Sequence, residues 1–254
     1  LLLSRLLDLL YPPRCLVCGL ATPAGGTCPA CTLELPWNTH SCRRCALPLL
    51  ADGNCITCEY APPPWELALV PFRYALPVSH IIQAFKFQRR MDRGAWLGAR
   101  LQEAAENLPG EALPQALVAV PLHPSRQRQR GFNQAATLAS ALARSLRIED
   151  ASSHLERRRR TRPQSALSAE HRRSNVDGAF AVHTPRRRSR APTWPPRTLQ
   201  HVAVVDDVVT TGATAAAVAR LLHRHGIERV DLWCCARALA VPPLTQTDNR
   251  APGQ

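Results

Sequence analysis

His201-Val202-Ala203-Val204-Val205-Asp206-Asp207-Val208-Val209-Thr210-Thr211-Gly212-Ala213-Thr214 is the stretch on which the reading of the fold turns. Residues 202–205 are continuously apolar, the pattern of a strand buried on both faces. Residues 213–225 read as a helix with Gly226 as its C′ cap, and residues 230–235 as the next strand. Strand, helix, strand at this spacing is a βαβ unit, so the sheet is parallel. The loop expected over 206–214 then lies outside the carboxyl end of a strand, where ligands of open parallel sheets gather. Its chemistry suits a phosphorylated sugar. Thr210, Thr211 and Thr214 offer hydroxyls, Gly212 allows close backbone approach, and the N–H groups of the new helix face an anion. Asp206 and Asp207 would repel phosphate but present acceptors to vicinal ribose hydroxyls. A helix cap needs one such residue, not an acidic pair followed by Thr-Thr-Gly-x-Thr. No Lys follows the Gly, so a Walker A loop is excluded.

Upstream, residues 67–74 resemble a strand, with Pro71 pointing to an edge position. Helices are expected over 79–87 and 96–108. Residues 116–120 form a buried strand, 126–131 a basic loop, and 132–146 a helix. An Arg- and Pro-rich stretch through Pro196 is expected to be extended or disordered. The adjacent Cys234 and Cys235 fall within a buried strand and read as small core residues.

The other eight of ten cysteines form four C-x-x-C pairs: Cys15/Cys18, Cys28/Cys31, Cys42/Cys45 and Cys55/Cys58. Two pairs complete a tetrahedral thiolate site, so eight ligands hold two structural Zn²⁺. Pairing consecutive knuckles gives tandem ribbons with nine-residue spacers, and interleaved pairing is the alternative. A thioredoxin-like redox motif is disfavoured because no βαβ pattern surrounds the pairs. We therefore expect a double zinc-ribbon module over 1–60, a boundary at Ala61-Pro62-Pro63-Pro64, an α/β domain over 65–240, and a flexible tail over 241–254. The leucine-rich residues 1–10 carry Arg5 and Asp8 and lack a cleavage site. They read as a short amphipathic helix rather than an export signal, and a reducing cytoplasm is expected. No apolar run spans a bilayer, so no integral membrane segment is expected. With 32 Lys+Arg against 19 Asp+Glu, the formal net charge of +13 favours polyanionic partners.

Several motifs in order carry a family resemblance. The segment 204–214 looks like the phosphoribosyl pyrophosphate motif of type I phosphoribosyltransferases. Val120-Pro121-Leu122-His123, Arg126 and Arg130-Gly131-Phe132-Asn133-Gln134-Ala135 resemble the ComF family, including its GntX-type members, as do Arg157, Arg159, Thr161, Gln164, Leu167, Arg172 and Asn175. Ala179-Phe180, the four Cys pairs and Trp233-Cys234-Cys235-Ala236-Arg237 fit the same family. The chain departs from it in the longer segment 184–199, and in Thr32 and Ala46 following the second and third Cys pairs, where Gly is easier to accommodate.

The resemblance implies a type I phosphoribosyltransferase fold (a parallel sheet flanked by helices) behind a zinc module, and a link to competence, the uptake and use of external DNA. It implies that phosphoribosyl pyrophosphate or a related nucleotide binds with Mg²⁺ on Asp206, Asp207, Thr210, Thr211, Gly212, Ala213 and Thr214. The leaving pyrophosphate needs basic neutralisation, for which Lys86, Arg126, Arg130 and the Gly131 backbone are candidates. Arg157, Arg159 and Thr161 stand where related enzymes carry a mobile closing loop and are the catalytic candidates. No residue reads as nucleophile or general base: His80, His123, His171 and His201 are scattered. Three functions compete: a phosphoribosyltransferase of unassigned acceptor, a non-catalytic nucleotide sensor, and an accessory protein that binds single-stranded DNA alongside the competence machinery.

Overall fold

The computed structural model describes residues 12–22, 25–108, 113–159, 178–183 and 194–239. The expected leader helix over 1–10, the tail over 241–254 and most of the Arg/Pro-rich stretch lie outside the described residues, as do Thr161 and His171. Two short helices, α1 (Pro29–Leu33) and α2 (Ile56–Tyr60), belong to the cysteine-rich module. The chain continues through β1 (Leu67–Leu69), β2 (Phe72–Arg73), α3 (Val78–Gln88), α4 (Met91–Glu106) and β3 (Ala116–Ala119). There follow α5 (Pro124–Arg130), α6 (Gln134–Leu146), β4 (Glu149–Asp150), β5 (Leu155–Arg157), β6 (Phe180–Val182), β7 (His201–Val209), α7 (Ala213–Arg224) and β8 (Arg229–Arg237).

The main sheet is parallel throughout and runs β1–β8–β7–β3–β4, with β2 extending the β1 edge along β8. Continuous apolar sequence is the cause: Leu117, Val118, Val205, Leu232 and Trp233 are all buried because both faces of the sheet are covered. Helices α4 and α6 pack on each other and on the sheet, while α7 packs on β7, β8 and β6. The parallel β7–α7–β8 unit aligns Val205 with Trp233 and Asp206 with Cys234. Strands β5 and β6 form a separate antiparallel pair. Mixed α/β architecture with a mostly parallel sheet and an N-terminal module of two four-cysteine sites is as expected.

Four local expectations are corrected. Residues 126–131 are not a loop: α5 forms because Pro124 fits the first helical turn, the His123 ring accepts from the Ser125 N–H at 3.2 Å, and Gly131 closes it at φ +84°. Asp206 to Val209 continue β7 instead of leaving it, so the acidic pair stands on a strand end. Arg157 ends strand β5 rather than sitting on a mobile loop, because its backbone pairs with Phe180. The strand expected over 67–74 is broken in two at Pro71, which has no N–H for a ladder.

The cysteine module is joined to the sheet edge along its inner side. Ala68 donates its N–H to the Arg43 carbonyl at 2.8 Å, Asn38 to Pro71 at 2.8 Å, and Arg73 to Pro36 at 2.8 Å. A run of rings backs these bonds, with Trp37 4.7 Å from Phe72 and Phe72 stacked 5.6 Å from Trp96.

Candidate functional site

Both zinc sites assemble from consecutive pairs. The Sγ atoms of Cys15, Cys18, Cys28 and Cys31 lie within 4.8 Å of one another, as do those of Cys42, Cys45, Cys55 and Cys58. Tetrahedral coordination at a Zn–S distance of about 2.3 Å separates sulfurs by about 3.8 Å. Cys18 and Cys28 are 3.9 Å apart and Cys45 and Cys55 3.7 Å, so the donors fit the ion. The two sites are copies at a constant offset. Cys28 donates its N–H to Cys15 Sγ at 3.3 Å, and Cys55 does so to Cys42 Sγ at 3.2 Å. Gly19 and Ala46, each following a knuckle, both turn with positive φ, so Ala46 adopts the strained geometry that Gly19 takes freely. Thr32 needs no glycine, because the second pair opens α1 instead of a knuckle. Burial resists ionisation of Cys15, but the N–H groups of Cys18, Cys28 and Val17 outweigh it and bring its pKa down to about 6. The same balance, with burial opposed by the N–H groups of Cys55, Cys45 and Arg44, brings Cys42 to about 7.

The second cluster forms at the carboxyl ends of β3 and β7. A cavity of about 170 Å³ is lined by Lys86 from α3, Arg126 and Arg130 from α5, Arg157 from β5, and Asp206, Asp207 and Thr214. Three separate parts of the sequence thus supply cations to one acidic pair. A smaller recess of about 40 Å³ beside it is walled by Thr210, Gly212, Ala213 and Thr214. Gly212 takes φ +74° as the N-cap of α7, and Ala213 points its N–H at Thr211 Oγ1 at 3.5 Å. Gly131 stands at the end of α5, with the Arg89 guanidinium in the space that a Cβ would need. Arg159 is exposed and not among the described lining residues, and Thr161 lies outside the described residues.

Electrostatics bind these groups together. Lys86 Nζ is 2.9 Å from Asp207 Oδ1, so in this geometry the lysine neutralises the acidic pair rather than facing outward. Burial works against the Lys86 charge, but the Asp207 and Asp206 carboxylates more than offset it and its pKa is raised. Asp206 is pushed up to about 7 by burial and then by Asp207, against the pull of Lys86, the Asp207 N–H and Arg157. Arg157 is lowered to about 10 by burial and by Arg126, with Asp206 opposing. The arrangement sets two acidic side chains, one of them paired with Lys86, where their oxygens can accept from hydroxyls or ligate a divalent cation, beside a basic wall for anionic oxygen.

Sequence reasoning missed the supports of this site. Asn133 caps α6 through its Oδ1, which accepts from Ala135 at 3.1 Å, and donates Nδ2 to the Val120 carbonyl at 3.1 Å. It thereby fixes the basic segment to the end of β3. Trp65 lies beneath Gly212, where a methyl on the glycine would fall 2.8 Å from its Cη2. A larger cavity of about 420 Å³ between α5 and β5 shares Leu122, Asn133 and Arg157 with the site. Only Phe132-Asn133-Gln134, directly before a helix, carried a readable cap signal. Trp65 and Ser152, whose Oγ accepts from Ala119 at 3.0 Å, carried none.

Two four-cysteine sites fused to a parallel sheet, with an acidic and basic cleft at its strand ends, define a zinc-ribbon α/β protein. Residues 6–59 match the family model described as a double zinc ribbon domain. Over 237 residues the chain is 34% identical to the DNA utilization protein YhgH of Escherichia coli (strain K12), covering 91% of this chain and 100% of that protein. It is 35% identical to the protein of the same name from Salmonella typhimurium, with the same coverage. Competence protein F of Haemophilus influenzae is 33% identical over 236 residues, covering 89% of this chain and 97% of that protein. The chain belongs to the ComF family, which these relatives represent. Among the described residues no helix is long and apolar enough to cross a membrane.

Proposed function

We propose that the cleft binds phosphoribosyl pyrophosphate with Mg²⁺, and that the protein serves the uptake and use of external DNA; its relatives are named a DNA utilization protein and a competence protein. The observation that carries the ligand is the convergence of Asp206-Asp207 and the Thr-Thr-Gly-x-Thr helix start with Lys86, Arg126, Arg130 and Arg157 around one cavity. Asp206 and Asp207 accept from the ribose hydroxyls. The 210–214 backbone and hydroxyls take the 5-phosphate, and the basic wall takes the pyrophosphate. Mg²⁺ would neutralise pyrophosphate oxygens when bound; the chain's own part is to orient the sugar and screen the anion. Two zinc ions held by the eight module cysteines suit a reducing compartment, in keeping with a cytoplasmic location.

Calorimetric titration of the full chain with Mg²⁺–phosphoribosyl pyrophosphate tests the reading. Saturable binding in the wild type and at least tenfold weaker binding in Asp206→Asn/Asp207→Asn is expected. Equal affinity in both proteins would discard it. Release of pyrophosphate in the presence of candidate bases or amines separates transferase from sensor. Deleting the zinc module and measuring single-stranded DNA binding tests the third role.

A further inference from the structure

The linker between the two halves of the molecule, Pro64-Trp65, is held more firmly than a connection requires. Trp65 is 3% exposed, although it directly follows three prolines. Its indole Nε1 donates to the carbonyl of Arg44, and Arg44 Nη1 donates back to the Trp65 carbonyl at 2.9 Å. Arg44 is an interior residue of the Cys42-x-x-Cys45 knuckle, so its backbone path is set when both thiolates share one ion. The far edge of the same indole lies under Gly212, whose missing Cβ would stand 2.8 Å from Cη2 and 3.5 Å from Cζ2. On the other side of the linker, His223 Nε2 of α7 is 3.2 Å from the Pro64 carbonyl.

One rigid side chain therefore touches both the knuckle of the second ribbon and the turn that starts α7. Gly212 holds φ +74°, a conformation open to alternatives unless something fixes it. Arg237 braces the same turn from β8, where its Nη1 donates to the carbonyls of Val209 and Thr210. The indole supplies the support from the module side. Among the described residues the first ribbon meets the domain at α4 instead, with Gly26 against Trp96 and the Leu16 carbonyl accepting from Arg93 Nη1.

We propose that Trp65 is a positioning residue for the 210–214 turn, and that through Arg44 it makes that turn's shape depend on the metal-loaded second ribbon. The functional consequence rests on reading this turn as the phosphate cradle. The physical coupling does not, and it is measured separately. In Trp65→Phe the full chain loses the Nε1 bond and the ring edge under Gly212 but keeps an apolar filler. Hydrogen exchange should rise about tenfold at amides 216–218, where Ala216 N–H to the Gly212 carbonyl at 2.8 Å is the first helical bond of α7, while amides 117–119 of β3 stay as protected as in the wild type. Zinc analysis should still give two ions in that variant. Cys58→Ser should loosen the same amides, and Cys31→Ser should not. Unchanged protection at 216–218 in Trp65→Phe, or equal loosening by both cysteine variants, would overturn the proposal. Where Cys58→Ser fails to fold, Trp65→Phe decides alone. Failure of the wild type to bind Mg²⁺–phosphoribosyl pyrophosphate would sink the phosphoribosyl reading and leave the exchange result to judge Trp65.

Discussion

At the scale of single residues, Asp206 sets the pH behaviour of the cleft. Its folded pKa is raised to about 7, so the folded state holds this proton more tightly than the unfolded chain. That contribution to stability is fully present below the unfolded value and is lost as pH rises through about 7. A ligand that needs the carboxylate reverses the preference. Affinity for Mg²⁺–phosphoribosyl pyrophosphate should therefore climb with pH and level off above about 7. Proton release on binding, read by calorimetry in buffers of different ionisation enthalpy, should vanish in Asp206→Asn. Two glycines give a second contrast. Gly212→Ala meets both a positive φ and the Trp65 ring, whereas Gly226→Ala at φ +92° meets no atom within 4 Å. Each substitution should cost about 1–2 kcal/mol through backbone strain. Only Gly212→Ala should also weaken ligand binding by more than about tenfold. Equal loss of binding in both would remove the special status of the 210–214 turn.

Elements show where the sequence was legible. Strands β3, β7 and β8 were readable because continuous apolar runs have few explanations other than burial on both faces. Helix α5 was not, because among its residues none is buried and no apolar stripe exists to detect. Its markers were Pro124 and Gly131 at the two ends, which the four polar residues from Arg126 to Gln129 obscured. The end of β7 was misjudged for a related reason: Asp206 and Asp207 interrupt the apolar pattern because they face a site. The eight thiols announced two zinc ions, yet spacing alone left the pairing open until the Sγ positions fixed it. Of the cleft, the acidic pair and the basic residues were recognisable as types, while Trp65 and Asn133 act through contacts with residues distant in sequence. Helix α6 offers the check at this scale. Asn133→Ala removes a cap and the bond to the Val120 carbonyl, and should lower stability by about 1–2 kcal/mol in denaturant unfolding. An unchanged midpoint would deny the cap its role.

Across the whole molecule, the two ribbons differ in their surroundings although their ligand geometry repeats. In the first, Cys18 is exposed and Cys28 and Cys31 are half-buried; in the second, Cys42, Cys55 and Cys58 are all buried. Chelator and solvent reach the first ion more readily, so a zinc-release time course should be biphasic. The faster phase should disappear in Cys31→Ser and thermal stability should fall chiefly with the slower one. A single phase would contradict this ordering.

The contacts of residues 36–43 with the outer side of β1 and β2 bear on the solubility of the chain. Ala68 and Arg73 donate outward, and Val70 and Pro71 accept there, each with a partner from the cysteine module. The ribbon thus covers what would otherwise be the open margin of a parallel sheet, the kind of edge along which separate chains stack. A cell short of zinc would hold a molecule with unsatisfied backbone along that margin as well as one with a loosened module. Self-association under metal starvation, visible as light scattering that returning zinc suppresses, follows from this shielding.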